Sequence, residues 1–188
     1  MTDMNIIDTI GNTPLVRVNR VLTPEAKANN VRILIKLEMQ NPGGSIKDRI
    51  AKNMLEEAER SGTLKPGMTV VEYTSGNTGI GIAMICAAKG YKCIICMPQL
   101  PPFEERYIVC RMFGADVHLT APALGMPGLK SYTENLVEMN EGYFLVNQFF
   151  NEANPSIHYT TTGPEIWKQS GKSKELKLCE LIYECRFS

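Results

Sequence analysis

The sequence lacks a surplus of charge of either sign. Its 188 residues include 20 lysines and arginines and 20 aspartates and glutamates, so the formal net charge is zero. Proteins that bind nucleic acid or another polyanion usually carry a basic surplus. The balance therefore predicts neither kind of partner.

Long apolar runs are also missing. No stretch approaches the roughly 20 apolar residues that a membrane-spanning helix requires. The first residues include neither a basic segment nor an apolar one, so no signal peptide is visible. We expect no association with a membrane.

Metal ligands are scarce. The two histidines, His118 and His158, stand alone in the sequence. Cys93 and Cys96 form a C-x2-C pair, but no second pair or spaced histidine completes a zinc site. We therefore predict no metal, reduced thiols and a cytoplasmic protein. The six cysteines are Cys86, Cys93, Cys96, Cys110, Cys179 and Cys185.

One stretch places a lysine at a chemically unusual position. Residues 32–38 alternate polar and apolar side chains, which predicts a strand, and Asn-Pro-Gly-Gly at 41–44 ends it. A helix is predicted to begin at Ser45 as N-cap, with Asp48 three residues later as a near capping box. Lys47 then lies in the first turn, where the helix field lowers an amine pKa, and a neutral amine can attack a carbonyl. The alternative is a solvated surface lysine.

A polar loop lies between an apolar strand and an apolar helix. Residues 74–79 read Thr-Ser-Gly-Asn-Thr-Gly, between a predicted strand at 69–73 and a predicted helix at 77–89. Hydroxyls and free helix-start N–H groups are suitable donors for a carboxylate. A plain strand-to-helix turn, the alternative interpretation, would need only one serine or threonine.

Strands and helices alternate along most of the chain. Further strands are predicted at 92–97, 115–120 and 143–146, and further helices at 46–61, within 98–114 and at 128–140. This order predicts an α/β fold with a parallel sheet, mixed at its edges, that is flanked by helices.

Two motifs together resemble a known family. Residues 36–51 follow the spacing Lys-x-Glu-x3-Pro-Gly-x-Ser-Ile-Lys-x-Arg-x-Ala, and residues 72–81 follow in the expected order. The pair resembles the cofactor-attachment segment and substrate loop of the cysteine synthase and cystathionine β-synthase family, which are fold-type II pyridoxal-phosphate enzymes. The resemblance covers about residues 5–167.

The resemblance implies roles for individual residues. Lys47 matches the lysine that holds pyridoxal 5'-phosphate as a Schiff base and then acts as the catalytic base. Asn77 matches the residue that binds the 3′ oxygen of the cofactor. The residues that match the holders of the substrate carboxylate are Thr74, Ser75, Thr78 and Gln148.

The resemblance also implies an architecture. It predicts a tryptophan-synthase-β-like fold in which 1–40 and 146–167 form part of a large cofactor domain and 41–145 form a small α/β domain. Residues 168–188 diverge and lack the expected glycine- and threonine-rich phosphate loop, so the second half of the large domain is expected to be missing. Such a C-terminal truncation is expected to impair catalysis.

The turn from Gly125 to Gly128 resembles the cysteine synthase branch. That branch uses O-acetyl-L-serine and sulfide to make L-cysteine and acetate. Cystathionine β-synthase and β-cyanoalanine synthase activities stay open as alternatives, and so does a pseudoenzyme that binds the C-terminal carboxylate of a partner. The resemblance implies a homodimer for full-length members and serine acetyltransferase as the usual partner.

Overall fold

A four-stranded parallel sheet organises the part of the chain, residues 4–172, that the computed structural model describes. The strands are β1 (Leu15–Val18), β2 (Ile33–Lys36), β3 (Thr69–Tyr73), β4 (Lys92–Pro98), β5 (Asp116–Thr120) and β6 (Tyr143–Leu145). The helices are α1 (Pro24–Ala28), α2 (Lys47–Arg60), α3 (Asn77–Lys89), α4 (Glu104–Met112), α5 (Gly125–Glu138), α6 (Ala153–Ile157) and α7 (Gly163–Gln169).

The order of strands in the sheet is β5-β4-β3-β6, and every neighbouring pair runs parallel. Parallel neighbours need crossover connections, and α3, α4 and α5 lie between the successive strands. The predicted α/β fold with a parallel, helix-flanked sheet is confirmed.

Helices cover both faces of this sheet. On one face, Val70 and Ile95 pack in a buried cluster with residues of α2, α3 and α4. On the other face, Val71 and Ile94 pack with Leu129 of α5. The near-continuous burial of β3 and β4 follows from this double cover.

The N-terminal strands form a separate antiparallel pair. Strand β1 pairs with β2, and Leu15 lies opposite Lys36. The strand predicted at 32–38 ends at Lys36, because the chain turns into a 3₁₀ turn at Glu38–Gln40. That turn carries the Glu38 carboxylate inward to Arg49, at 2.7 Å.

Buried charges join this pair of strands to α2 and α7. Glu165 of α7 accepts from Lys36 and from Arg49, both at 2.7 Å, and the side chains of Lys36 and Arg49 are almost fully buried. Burial alone would raise the pKa of Glu165, but the hydrogen bonds from Arg49 and Lys36 outweigh it and lower that pKa to about 2. Burial likewise acts to raise the pKa of Glu38, but the hydrogen bonds from Arg49 and Thr13 outweigh it, so that pKa is lowered. The network fixes Arg49, two residues after Lys47.

The two cysteines of the C-x2-C pair point to opposite faces of β4. Cys93 belongs to the cluster under α2, α3 and α4, and Cys96 to the cluster under α5. Their thiols therefore do not converge. Within residues 4–172, none of the helices has the length and apolar character needed to cross a bilayer.

Candidate active site

The loop before α2 is held by its own polar groups. Asp48 Oδ2 accepts from the Gly43 N–H at 2.6 Å, and Ser45 Oγ accepts from the Lys47 N–H at 3.1 Å. The helix begins at Lys47 rather than at Ser45, and Asp48 reaches back to Gly43 instead of closing a capping box on Ser45. A Cβ at Gly43 would overlap the Asp48 carboxylate, so only glycine allows this closure.

Lys47 is the first residue of α2 and is partly buried. Burial lowers the pKa of His158, and the positive charges of Lys47 and Arg49 lower it further. His158 lies in a π-helical turn, His158–Thr162, whose Thr161 accepts from Arg49 at 3.3 Å. No sequence pattern indicated that this histidine lies near Lys47, because 111 positions separate them.

Helix α3 approaches the start of α2 closely. A Cβ on Gly81 would lie 3.2 Å from Ala51 Cβ and 3.3 Å from the Lys47 carbonyl oxygen. Asn77 stands one helical turn before Gly81 and so faces the same way. The absence of a side chain at Gly81 thus allows α3, of which Asn77 is the first residue, to pack closely on the start of α2. Among the described residues, no hydrogen bond engages the Asn77 side chain.

The loop after β3 is buried and internally bonded. Thr74 and Ser75 are at most 9% exposed, and Thr74 Oγ1 accepts from the Gly76 N–H at 3.0 Å. No described residue accepts the hydroxyl proton of Thr74, so that proton is available to a ligand. At the start of α3 the Gly79 N–H donates to the Gly76 carbonyl at 3.1 Å, while the N–H groups of Asn77 and Thr78 have no hydrogen-bond partner among the described residues.

Gln148 reaches this loop from the segment after β6. Thr78 Oγ1 donates to Gln148 Oε1 at 2.7 Å, and Gln148 Nε2 donates to the Tyr73 carbonyl at 3.3 Å. An amide nitrogen has two protons, so one remains for a ligand. Loops at the carboxyl ends of parallel strands meet at one edge, which is where open α/β sheets bind ligands. The structure thus brings Thr74, Ser75, Thr78 and Gln148 together at one edge of the sheet, with Asn77 and Lys47 beside them at the starts of α3 and α2; their roles stay predictions.

A buried carboxyl group that sequence reasoning missed lies beneath this pocket. Glu72 is fully buried at the end of β3 and accepts from the Gln148 N–H at 3.0 Å and the Tyr73 N–H at 2.9 Å. Burial raises the pKa of Glu72 to about 8, against the lowering effect of these bonds. An acidic residue within a strand of apolar residues was the available signal.

A charged residue on α4 also contacts the loop. Arg106 donates to the Ser75 carbonyl at 3.0 Å, and its guanidinium lies 5.0 Å from the centre of the Phe103 ring. The two residues are 31 positions apart, and no local sequence pattern predicts their contact.

The chain matches a known family over most of its length. A family model described as pyridoxal-phosphate dependent enzyme matches residues 6–179. The predicted divergence of residues 168–188 falls almost wholly outside the described residues.

Individual relatives agree with this match. A cysteine synthase of Staphylococcus aureus (strain Mu50 / ATCC 700699) is 48% identical over 165 residues, which cover 88% of this chain and 51% of the relative. A solved structure of a hydrogen sulfide-producing enzyme from Fusobacterium nucleatum superposes with a TM-score of 0.84 at 44% identity, covering 92% of this chain and 56% of that one. A structure of O-ureido-L-serine synthase gives 0.83 at 41% identity, with 90% and 52% covered. The chain therefore spans about half the length of the relatives it matches.

Proposed function

We propose, from the premise that this chain belongs to the family of pyridoxal-phosphate dependent enzymes, that it carries the lysine and the carboxylate pocket of a β-replacement site. The reaction proposed is the formation of L-cysteine and acetate from O-acetyl-L-serine and sulfide. One observation carries the proposal: α3 packs so closely on the start of α2 that a Cβ on Gly81 would lie 3.3 Å from the Lys47 carbonyl oxygen, one turn from the loop at Thr74.

Two of the described residues have side chains of the kind that the cofactor needs. Lys47 supplies a primary amine, and Asn77 supplies a half-buried amide that no described residue engages. We assign Lys47 to covalent attachment and Asn77 to the ring. When bound, pyridoxal phosphate supplies an electron sink for the pair of electrons left on the α-carbon.

The carboxylate of the substrate binds at the loop. We assign as its donors the hydroxyls of Thr74 and Ser75, the second amide proton of Gln148 and the N–H groups of Asn77 and Thr78. Charge-assisted hydrogen bonds of this kind are about twice as strong as neutral ones. They would hold the amino acid near the start of α2, and we assign removal of its α-proton to the amine of Lys47.

The relatives support the choice of substrate class. The Staphylococcus aureus protein is named cysteine synthase, the Fusobacterium nucleatum enzyme produces hydrogen sulfide, and the third relative makes O-ureido-L-serine. All three names fit chemistry at the β-carbon of a serine or cysteine skeleton. These names support a common amino-acid substrate class more strongly than they support one nucleophile.

The test is an assay of the purified 188-residue chain with pyridoxal phosphate. Cysteine is measured after addition of O-acetyl-L-serine and sulfide. We expect slow formation, in line with the impairment expected from the sequence, that needs the cofactor, is lost in Lys47→Ala and is retained in Lys52→Ala. Lys52 is a matched control because it lies on the same helix, is partly buried and bonds to the Ile7 carbonyl.

A second candidate function follows from the pocket itself. Its hydroxyl and amide donors lie on the described residues and need no cofactor to be in place. The chain could then bind the C-terminal carboxylate of a partner protein without catalysis. Cysteine formation absent at saturating cofactor, with binding of a peptide acid but not of its C-terminal amide, selects this candidate over the first.

A further inference from the structure

Arg106 connects α4 to the loop of the carboxylate pocket. Its guanidinium donates to the Ser75 carbonyl oxygen at 3.0 Å while lying over the Phe103 ring. The neighbouring Tyr107 is buried, and its hydroxyl accepts from the Leu100 N–H at 2.8 Å and donates to the Pro98 carbonyl. The first turn of α4 is thereby attached to the end of β4, so Arg106 extends from a fixed base.

The peptide between Ser75 and Gly76 is held at both of its polar ends. A trans peptide is planar, and its C=O and N–H point in opposite directions. Here the C=O accepts from Arg106 at 3.0 Å, and the N–H donates to Thr74 Oγ1 at 3.0 Å. A rotation of this plane would break both bonds, so the two contacts together fix its orientation.

The orientation of this plane decides what a ligand meets. The bond from Gly76 uses one lone pair of Thr74 Oγ1 and leaves the hydroxyl proton of Thr74 for an anion. The plane also sets the direction in which the chain enters α3, and with it the direction of the first helical N–H groups. Without Arg106, the Ser75 carbonyl has no donor among the described residues, and only the Gly76 bond to Thr74 opposes a rotation that turns that oxygen toward an incoming carboxylate.

We propose that Arg106 is a positioning residue for the carboxylate pocket: it acts through the Ser75 peptide and does not touch the ligand. The proposal rests on the proposed function for the identity of the ligand. Its structural half, the bracing of the loop, is independent of that function. Arginine suits the role because it stays charged and its planar fork keeps its direction, whereas lysine offers a point charge on a flexible stem.

The bracing is tested by hydrogen exchange without any ligand. We expect Arg106→Ala to raise amide exchange of the peptide covering residues 74–79 roughly tenfold, as for loss of one charge-assisted hydrogen bond. Exchange in β3 and in the second half of α3 should stay unchanged. Arg111→Ala is the matched control, since Arg111 is an exposed arginine on the same helix. Unchanged exchange at 74–79 overturns the proposal whatever the function.

The effect on the pocket is tested by calorimetry with O-acetyl-L-serine. We expect Arg106→Ala to weaken binding roughly tenfold with unchanged cofactor absorbance, and Arg106→Lys to recover part of the loss. A positioning role is contradicted if Arg106→Ala binds O-acetyl-L-serine as tightly as the wild type. It is also contradicted if the variant loses cofactor binding as much as it loses O-acetyl-L-serine binding. If exchange rises but the wild-type chain binds no carboxylate, the proposed function fails, and the part of the inference that concerns the pocket fails with it.

Discussion

Thr78 Oγ1 donates a 2.7 Å hydrogen bond to Gln148 Oε1, although 70 positions separate the two residues. Both side chains are buried, so the bond is shielded from water. In this arrangement Thr78 already donates its hydroxyl proton to Gln148. A substrate carboxylate therefore competes with Gln148 for that proton, while the second amide proton of Gln148 is available to it directly.

The first prediction follows from that competition. Gln148→Ala removes a donor to a charged group, which costs about 1.5 to 3 kcal/mol, so O-acetyl-L-serine should bind roughly ten- to a hundredfold more weakly. Thr78→Val should weaken binding less, because the ligand gains only a shared proton from Thr78. Titration calorimetry measures both.

Thr133→Val provides the matched control for Thr78→Val. Thr133 is a fully buried threonine whose hydroxyl donates to the Leu129 carbonyl at 2.9 Å, within α5 and on the other side of the sheet. It should lower stability without changing affinity. Equal affinity losses in Thr78→Val and Thr133→Val would show that the pocket lies elsewhere.

The second prediction concerns the site of covalent attachment. After incubation with pyridoxal phosphate and reduction with borohydride, the added mass should map to Lys47. The expected labelling at Lys52 is at background level, although that lysine lies on the same helix, because its amine is held by the Ile7 carbonyl at 3.3 Å. Modification elsewhere with Lys47 intact contradicts the assignment.

Local chemistry made part of the fold predictable. The strand at 69–73 and the helix at 77–89 have the predicted bounds, since a run rich in β-branched residues defines the strand and Gly90, at φ +77°, ends the helix. Helix α5 begins at Gly125, earlier than the predicted 128, because the proline at 127 fits a first helical turn. Each of these bounds is determined by residues within about one helical turn of it.

Contacts between distant segments were not predictable in the same way. Alternation in the β2 strand gave no indication that Lys36 would be buried, yet it pairs with Glu165, 129 positions later. The bonds from Gln148 to Glu72 and from Arg106 to Ser75 likewise join distant segments. The loop motif identified the residues of the pocket, but the groups that hold the loop in place come from elsewhere in the fold.

The third prediction is an acid-induced loss of stability that depends on Glu165. Its pKa is about 2 in the folded chain against an ordinary 4.5, so the folded state holds this proton less tightly. Its contribution to stability is complete above pH 4.5 and is lost as the pH falls from there to about 2. Glu165→Gln should flatten this part of a denaturation profile measured at successive pH values.

Glu56→Gln is the control for that profile. Glu56 and Glu165 both line a cavity of about 350 Å³ beside Arg49. Unlike Glu165, Glu56 forms no ion pair within the described chain. Its profile should follow the wild type between pH 2 and 4.5. If Glu165→Gln retains the wild-type slope, the ion pairs of Glu165 with Arg49 and Lys36 do not govern acid stability.

The last prediction has the opposite sign and concerns Glu72. Burial raises its folded pKa to about 8, whereas the unfolded value is near 4.5. Between these values the folded chain binds the proton and the unfolded chain does not. The contribution of Glu72 to stability is therefore greatest below pH 4.5 and falls as the pH rises to about 8, with a slope of up to about 1.4 kcal/mol per pH unit. Above that value both states are ionised, and the dependence on Glu72 ends.

Glu72→Gln isolates this contribution, because glutamine is neutral at every pH in the window. His158 titrates in the same window with the opposite effect, since burial and nearby positive charge lower its pKa, and subtracting the mutant profile from the wild-type profile cancels it. We expect the difference in unfolding free energy, measured by urea denaturation from pH 5 to 9, to fall and then level near pH 8. Glu57→Gln, at an exposed ion pair, should give a flat difference. A flat difference for Glu72→Gln would mean that this carboxyl is ionised in the folded chain throughout the window, held so by the Gln148 and Tyr73 N–H groups.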